Sequence, residues 1–148
     1  MTPDPRQPPK HSVSVAAAIV DDNGRFLAIR RADNGRWEPP GGILELHESI
    51  PDGLIREVHE ETGLQVRPLA LTGVYKNMKR GIVALVFRCE VVAGEPGRST
   101  EACEFAWLAP NELTGRMSDA YSVRLLDAVT LAASGPTVRA HDGQNVVA

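Results

Sequence analysis

Apolar and polar positions along the chain change period several times, and each change predicts an element. Ser12 to Val20 and Phe26 to Arg30 read as two strands, joined by Asp21-Asp22-Asn23-Gly24, whose Asn-Gly pair signals a hairpin turn. Leu69 to Tyr75 and Ile82 to Val91 read as a second antiparallel pair across Lys76 to Gly81, and Glu104 to Leu108 reads as a short strand. Helical spacing appears in two places. One helix is expected from Ser49 to Gly63; the other closes the fold over Asp119 to Ala133, after a short helical turn at Pro110 to Leu113.

The flanks of the first helix support its limits. Ser49 offers an N-cap hydroxyl, Pro51 suits the first turn because its missing N–H would be unpaired there, and Asp52 has the sign the helix N-terminus favours. Gly63 stops it. Gly53 inside the helix costs about 1 kcal/mol relative to Ala, which points to a close backbone contact there. Leu54, Ile55 and Val58 form an apolar arc that can lie on a core.

Beside that arc stand Glu57, Glu60 and Glu61. At about 100° per residue they share one narrow stripe, where like charges at i, i+3 and i+4 oppose helix formation unless a cation compensates. Mg²⁺ or Mn²⁺, which take oxygen ligands, would do so. Arg56, one turn before Glu60, is close enough to fix that carboxylate by a charge-assisted hydrogen bond.

Composition narrows the function classes. The 148 residues suffice for one domain with a proper core, with 43% hydrophobic and 24% charged residues as in ordinary soluble proteins. A formal charge of -3 gives no global attraction to polyanions, so neither stable nucleic-acid binding nor membrane association is expected. A polyanionic substrate must then be held by local cations. Cys89 and Cys103 lack metal-ligand spacing and read as reduced structural thiols of a cytoplasmic protein. No apolar run approaches the roughly 20 residues of a membrane span. The domain is expected over residues 11–133. The proline-rich residues 1–10 and the small, polar residues 134–148 are expected to be loose tails.

The stretch Gly42 to Leu64 resembles the Nudix box: a glycine, five residues, Glu, seven residues, then Arg-Glu-aliphatic-any-Glu-Glu-any-Gly-aliphatic. Gly42, Glu48, Arg56, Glu57, Val58, Glu60, Glu61, Gly63 and Leu64 fill every specified place. A chance match is expected on the order of once in 10⁹ start positions. The phrase Trp37-Glu38-Pro39-Pro40-Gly41-Gly42 matches the family's entry to the box.

The resemblance implies an α/β fold, the Nudix α/β/α sandwich around a mixed β-sheet, and Mg²⁺- or Mn²⁺-dependent hydrolysis of a diphosphate linked to a nucleoside. By resemblance Glu60 and Glu61 are metal ligands, and the Gly41 carbonyl is another. Glu57 either ligates a second ion or accepts the proton of the attacking water, and Arg56 joins the catalytic set by orienting these carboxylates. Glu48 is a weaker or water-mediated ligand. Glu101, six residues before Trp107, fits a further acid that relatives take from a loop; Glu104 is its rival.

Arg30 and Arg31, and Lys76, Lys79 and Arg80 in the following hairpin, are candidates for gripping substrate phosphates. Tyr75 and Trp37 could stack on a base, Trp107 suits the core, and His47 and His59 suit the surface. Among substrates, the proline marker of ADP-ribose pyrophosphatases is replaced by Lys79. The tyrosine of dinucleoside-polyphosphate hydrolases is missing near Gly81 and Ile82, and the upstream coenzyme A signature is absent. The broad MutT-like group remains, which converts nucleoside triphosphates to monophosphate and pyrophosphate. The alternatives are ADP-ribose or nucleotide-sugar pyrophosphatase, removal of a 5′ diphosphate from RNA, and a non-catalytic nucleotide sensor. The expected partner is a nucleotide-type small molecule, with a homodimer left open.

Overall fold

Strand β1 (Ser12–Ile19) is buried on both faces from Val15 onward, and this divides the core. Successive strand residues point to opposite sides. Val15, Ala17 and Ile19 join Leu54, Val58, Leu64 and Val66 on one side; Ala16 and Ala18 join Phe26, Tyr75, Leu113 and Leu125 on the other. The small alanines let layers approach closely from both directions. In this computed structural model residues 4–97, 101–130 and 135–148 are described.

Two sheets form the middle layer. The larger, mixed sheet has the order β4 (Gly41–Ile43), β1, β6 (Ile82–Ala93), β5 (Gln65–Asn77), β8 (Thr137–His141); β1 runs parallel to β6, and β5 parallel to β8. The smaller is antiparallel, in the order β3 (Trp37–Glu38), β2 (Phe26–Arg31), β7 (Ala102–Leu108). Helix α1 (Ile50–Thr62) packs Leu54 and Val58 into one core. Helices α2 (Leu113–Arg116) and α3 (Asp119–Leu126) pack Leu113 and Leu125 into the other. The arrangement is the expected α/β/α sandwich.

The capping expected for α1 is present. The Ser49 hydroxyl accepts from the Asp52 N–H at 3.2 Å, and Gly63 adopts φ 78°, where glycine is unstrained. The close contact at Gly53 is with Leu44 and the Glu48 carboxylate, which a Cβ there would overlap.

Four expectations need correction. Asp21 to Arg25 does turn, with the Gly24 N–H donating to the Asp21 carbonyl, but beyond the isolated bridge Val20 to Phe26 the flanking strands separate into different sheets. The reason is that both edges of β1 are already taken, by β4 and β6. The closing helix ends at Leu126 instead of reaching Ala133; Leu131 to Ala133 lie outside the described residues. The segment expected to be a loose C-terminal tail carries β8, whose buried His141 and whose Arg139, paired with Asp127 at 2.8 Å, attach it to the fold. Tyr75, a candidate for base stacking, is 1% exposed and donates its hydroxyl to Asp127 at 2.7 Å.

Packing of α1 should dominate its stability. Leu54→Ala, at a side chain with no exposed surface, is expected to destabilise the protein by ~2–5 kcal/mol, and Ser49→Ala by about 1 kcal/mol, both read from urea unfolding curves. A smaller loss for Leu54→Ala than for Ser49→Ala would contradict this packing.

Candidate active site

Three chain segments meet at one end of α1. Pairing of β4 with β1, Val15 opposite Gly42 and Ala16 opposite Gly41, sets the two glycines against the helix. A Cβ at Gly42 would overlap the Glu57 carboxylate, and one at Gly41 would overlap the backbone of Val15 and Ala16, so this approach requires glycine at both places. The Gly41 N–H donates to Glu61 Oε1 at 2.7 Å. From the other side, pairing of β2 with β7 and the bond from the Ala32 N–H to the Glu101 carbonyl deliver Glu101.

The outcome is a trio. Glu57, Glu61 and Glu101 each bring a carboxylate oxygen within 4.8 Å of the others, Glu57 and Glu61 being buried and Glu101 exposed. Burial is the largest influence on Glu61 and pushes it up to about 8, opposed by the Gly41 N–H and reinforced by the charges of Glu38, Glu101 and Glu57. Burial likewise raises Glu57, against the pull of Arg56. Buried carboxylates so close together need a proton or a cation. An all-oxygen donor set suits a hard divalent ion. The residues present therefore fit such an ion.

Arg56 orders the acids around the trio. It donates to both oxygens of Glu48, at 2.7 and 2.8 Å, to Glu57 at 3.1 Å, to Glu60 at 3.1 Å and to the Ile43 carbonyl. Glu48, held well down at about 2 by that guanidinium, is an anchor for Arg56 and is not brought to the trio. Glu60 also stands apart, its half-exposed side chain turned to Arg56. The position of Glu60 follows from helix geometry: Glu57 and Glu61, four apart, share the buried stripe, while Glu60 lies on its exposed flank. Glu104 pairs with Arg30 at 2.6 Å, away from the trio.

The arginines at the end of β2 diverge. Arg30 bonds Glu104 and the Gly35 carbonyl, whereas Arg31 lines the trio's cavity of about 390 Å³ and is held by Asp33 and Glu38. Strand alternation and a register shift between the two send them opposite ways. Arg31 also borders a neighbouring cavity of about 580 Å³ with Lys79 and Arg80, whose backbone N–H groups are capped by Asn77. Trp37 is half-buried beneath Arg116, Trp107 packs against the core, and His47 and His59 are exposed. Both cysteines are free, and burial pushes the Cys89 thiol up to about 12. No helix among the described residues is long and apolar enough to cross a membrane.

Glu38, Tyr121 and Arg124 were not singled out as site residues in the sequence, yet they line a cavity adjoining Gly41 and Gly42. Glu38 lies inside the Trp-Glu-Pro-Pro-Gly-Gly phrase and could have been found there. Tyr121 and Arg124 carry no local signal, because only tertiary packing turns α3 toward the site.

A model of the NUDIX domain matches residues 10–126. A MutT-like protein of Streptomyces ambofaciens is 56% identical over 140 residues, covering 95% of this chain and 90% of its own. An ADP-ribose pyrophosphatase of Methanocaldococcus jannaschii is 30% identical over 110 residues, 70% of this chain and 65% of its own. The solved structure of an ADP-ribose pyrophosphatase from Streptococcus suis superposes with a TM-score of 0.74 at 20% identity, covering 87% of this chain and 98% of its own, which speaks for the fold. Nudix hydrolases generally use divalent metal ions and act on nucleotide-derived small molecules, and the site described above has the acids for the first and the cations for the second. The box on α1, the sandwich that carries it and the length of the match together make this chain a Nudix pyrophosphohydrolase.

Proposed function

We propose that the chain is a Mg²⁺- or Mn²⁺-dependent nucleoside triphosphate pyrophosphohydrolase of the MutT-like kind, releasing nucleoside monophosphate and pyrophosphate in the cytoplasm. The observation that carries the metal-dependent chemistry is the trio Glu57, Glu61 and Glu101. The resemblance at 56% identity to a MutT-like protein favours the triphosphate.

When bound, the divalent ion would neutralise the phosphate oxygens and lower the pKa of the attacking water. Glu57, Glu61 and Glu101 would hold it, with Gly41 completing the set and Glu60 available on the exposed flank. Glu61 is oriented for this by the Gly41 N–H. Glu57, steadied by Arg56 at 3.1 Å, either shares in holding the ion or accepts the proton of the attacking water. Arg31, Lys79 and Arg80 face the adjoining cavities, where they would take the outlying phosphates, Arg31 by exchanging its exposed Asp33 contact for one to the substrate. Arg30, committed to Glu104, has at most an indirect part.

A second reading, ADP-ribose hydrolysis, is favoured by the 30% identical relative of that name. Turnover of nucleoside triphosphates, ADP-ribose and nucleotide sugars with Mg²⁺, scored by pyrophosphate or monophosphate release, separates the two. Pyrophosphate from triphosphates is expected; release of AMP and ribose 5-phosphate from ADP-ribose alone would overturn the first reading.

The carboxylates should differ in weight. Glu57→Gln and Glu61→Gln are expected to lower kcat by ~10²–10⁴-fold. Glu60→Gln should lower it by ~10–100-fold, because Glu60 is bonded to the guanidinium that steadies Glu57. Steady-state kinetics check this, and near-normal turnover by Glu61→Gln would remove it from the site.

Stability should report the same charge. The Glu61 carboxyl rises from its ordinary 4.5 to about 8 in the fold, so folding favours its neutral form. That contribution is fully present below 4.5 and is lost as pH rises through 8. His141, shifted downward, acts oppositely in part of this window, so the difference between variants isolates Glu61. In EDTA, wild-type Tm minus Glu61→Gln Tm should fall between pH ~5 and ~8.5, and Mg²⁺ at the upper pH should restore it. A difference that ignores pH would count against a buried, uncompensated Glu61.

A further inference from the structure

Arg124 is a buried guanidinium whose hydrogen bonding the fold does not complete. Only 8% of its surface is exposed, and among the described residues its Nε has no hydrogen-bond partner. It lies against two rings, 4.8 Å from the centre of Tyr121 and 5.5 Å from that of Tyr75. Its Nη2 stands 3.5 Å from Nε2 of His141, a ring that burial and Arg124 itself both push below its ordinary pKa. Aromatic faces offset part of the cost of burying this cation, but they accept no strong hydrogen bond.

The residue lines a cavity of about 170 Å³ together with Tyr121, Glu38, Gly41 and Gly42. Gly41 and Gly42 also back the acidic trio, so the cavity opens beside the place where the diphosphate would react. Its volume is close to the ~150 Å³ of a cavity that holds one benzene ring. Glu38 borders the same space, its carboxylate held by Arg31 at 3.2 Å. Those two walls decide between ligands. Arg31 also lines the cavity, but its donors are taken by Asp33 and Glu38, so a phosphate drawn to Arg124 would still meet the Glu38 carboxylate. A heterocycle edge with an acceptor beside an N–H satisfies both.

We propose that Arg124 and Glu38 are specificity-determining residues that read the nucleobase. The guanidinium donates to a base carbonyl or ring nitrogen, the Glu38 carboxylate accepts from a neighbouring N–H, and Tyr121 forms an aromatic wall. The inference rests on the reading that the substrate is a nucleotide, but it does not depend on which diphosphate is cleaved.

Calorimetric titration with AMP, GMP, CMP, UMP and inorganic pyrophosphate, in Mg²⁺, tests it on the whole chain. Monophosphates carry no bond for the enzyme to cleave, so failure of the proposed hydrolysis and failure of this inference are distinguishable. Wild type should prefer its best base over its worst by at least ~10-fold, the scale expected when a site hydrogen-bonds its ligand. Arg124→Met and Glu38→Gln should each compress that spread to below about 3-fold, Arg124→Met while leaving pyrophosphate affinity within about 2-fold. Glu38→Gln, which keeps the side-chain shape, secures the test if Arg124→Met does not fold. A uniform weakening of all five ligands, an unchanged spread in the variants, or no spread in the wild type would each overturn the proposal.

Discussion

Repulsion among buried carboxylates is the constraint around which the site is arranged. Glu57 and Glu61 are turned inward on α1 and meet Glu101 from β7's approach, and nothing in ordinary packing rewards that proximity. Two backbone features make it tolerable. The Gly41 N–H bonds Glu61, and the missing Cβ of Gly42 leaves room for Glu57. Arg56 then gathers Glu48, Glu57 and Glu60 into one ion-pair network, so that each acid has a fixed direction before any ion arrives. Preorganisation of this kind spares the reaction from reorienting dipoles as charge develops.

The scaffold supplies rigidity to match. β1 lies in the middle of the sandwich with cores on both faces, and its pairing with β4 is what fixes the box glycines relative to α1. The register shift near the end of β2 divides Arg30 from Arg31 and so determines which of two adjacent cations faces the groove. Site geometry is thus written mostly in backbone pairings, with side chains completing it.

Much of this was legible in the sequence. Ser49, Pro51, Gly63 and the apolar positions of α1 are local signals, and local structure obeys them. The box acids could be named from their resemblance to the family motif, which also pointed to Glu101 with Glu104 as its rival. Spacing also gave the Arg56–Glu60 bond, but it could not reveal that Glu48 would be taken by the same guanidinium and that Glu61 would be buried, since these depend on how α1 is rotated against β4. The Asp21 to Gly24 turn misled because a turn reports chain reversal and not which sheet the next strand enters. β8 was invisible for a related reason: Thr137 to His141 has little apolar content, and its strand state comes from the edge that β5 offers.

That edge has a consequence for the nascent chain. The acidic trio draws on residues up to the end of β7, whose pairing with β2 delivers Glu101, but β5 keeps an unpaired margin until Thr137 to His141 has been synthesised, and an unpaired margin is a template for other chains. His141, which stands behind Arg124, arrives in the same last stretch. Translation therefore supplies every acid of the cluster before the strand that closes the sheet, so a chain stopped between the two would hold the acids and still bear an open strand edge prone to sticking.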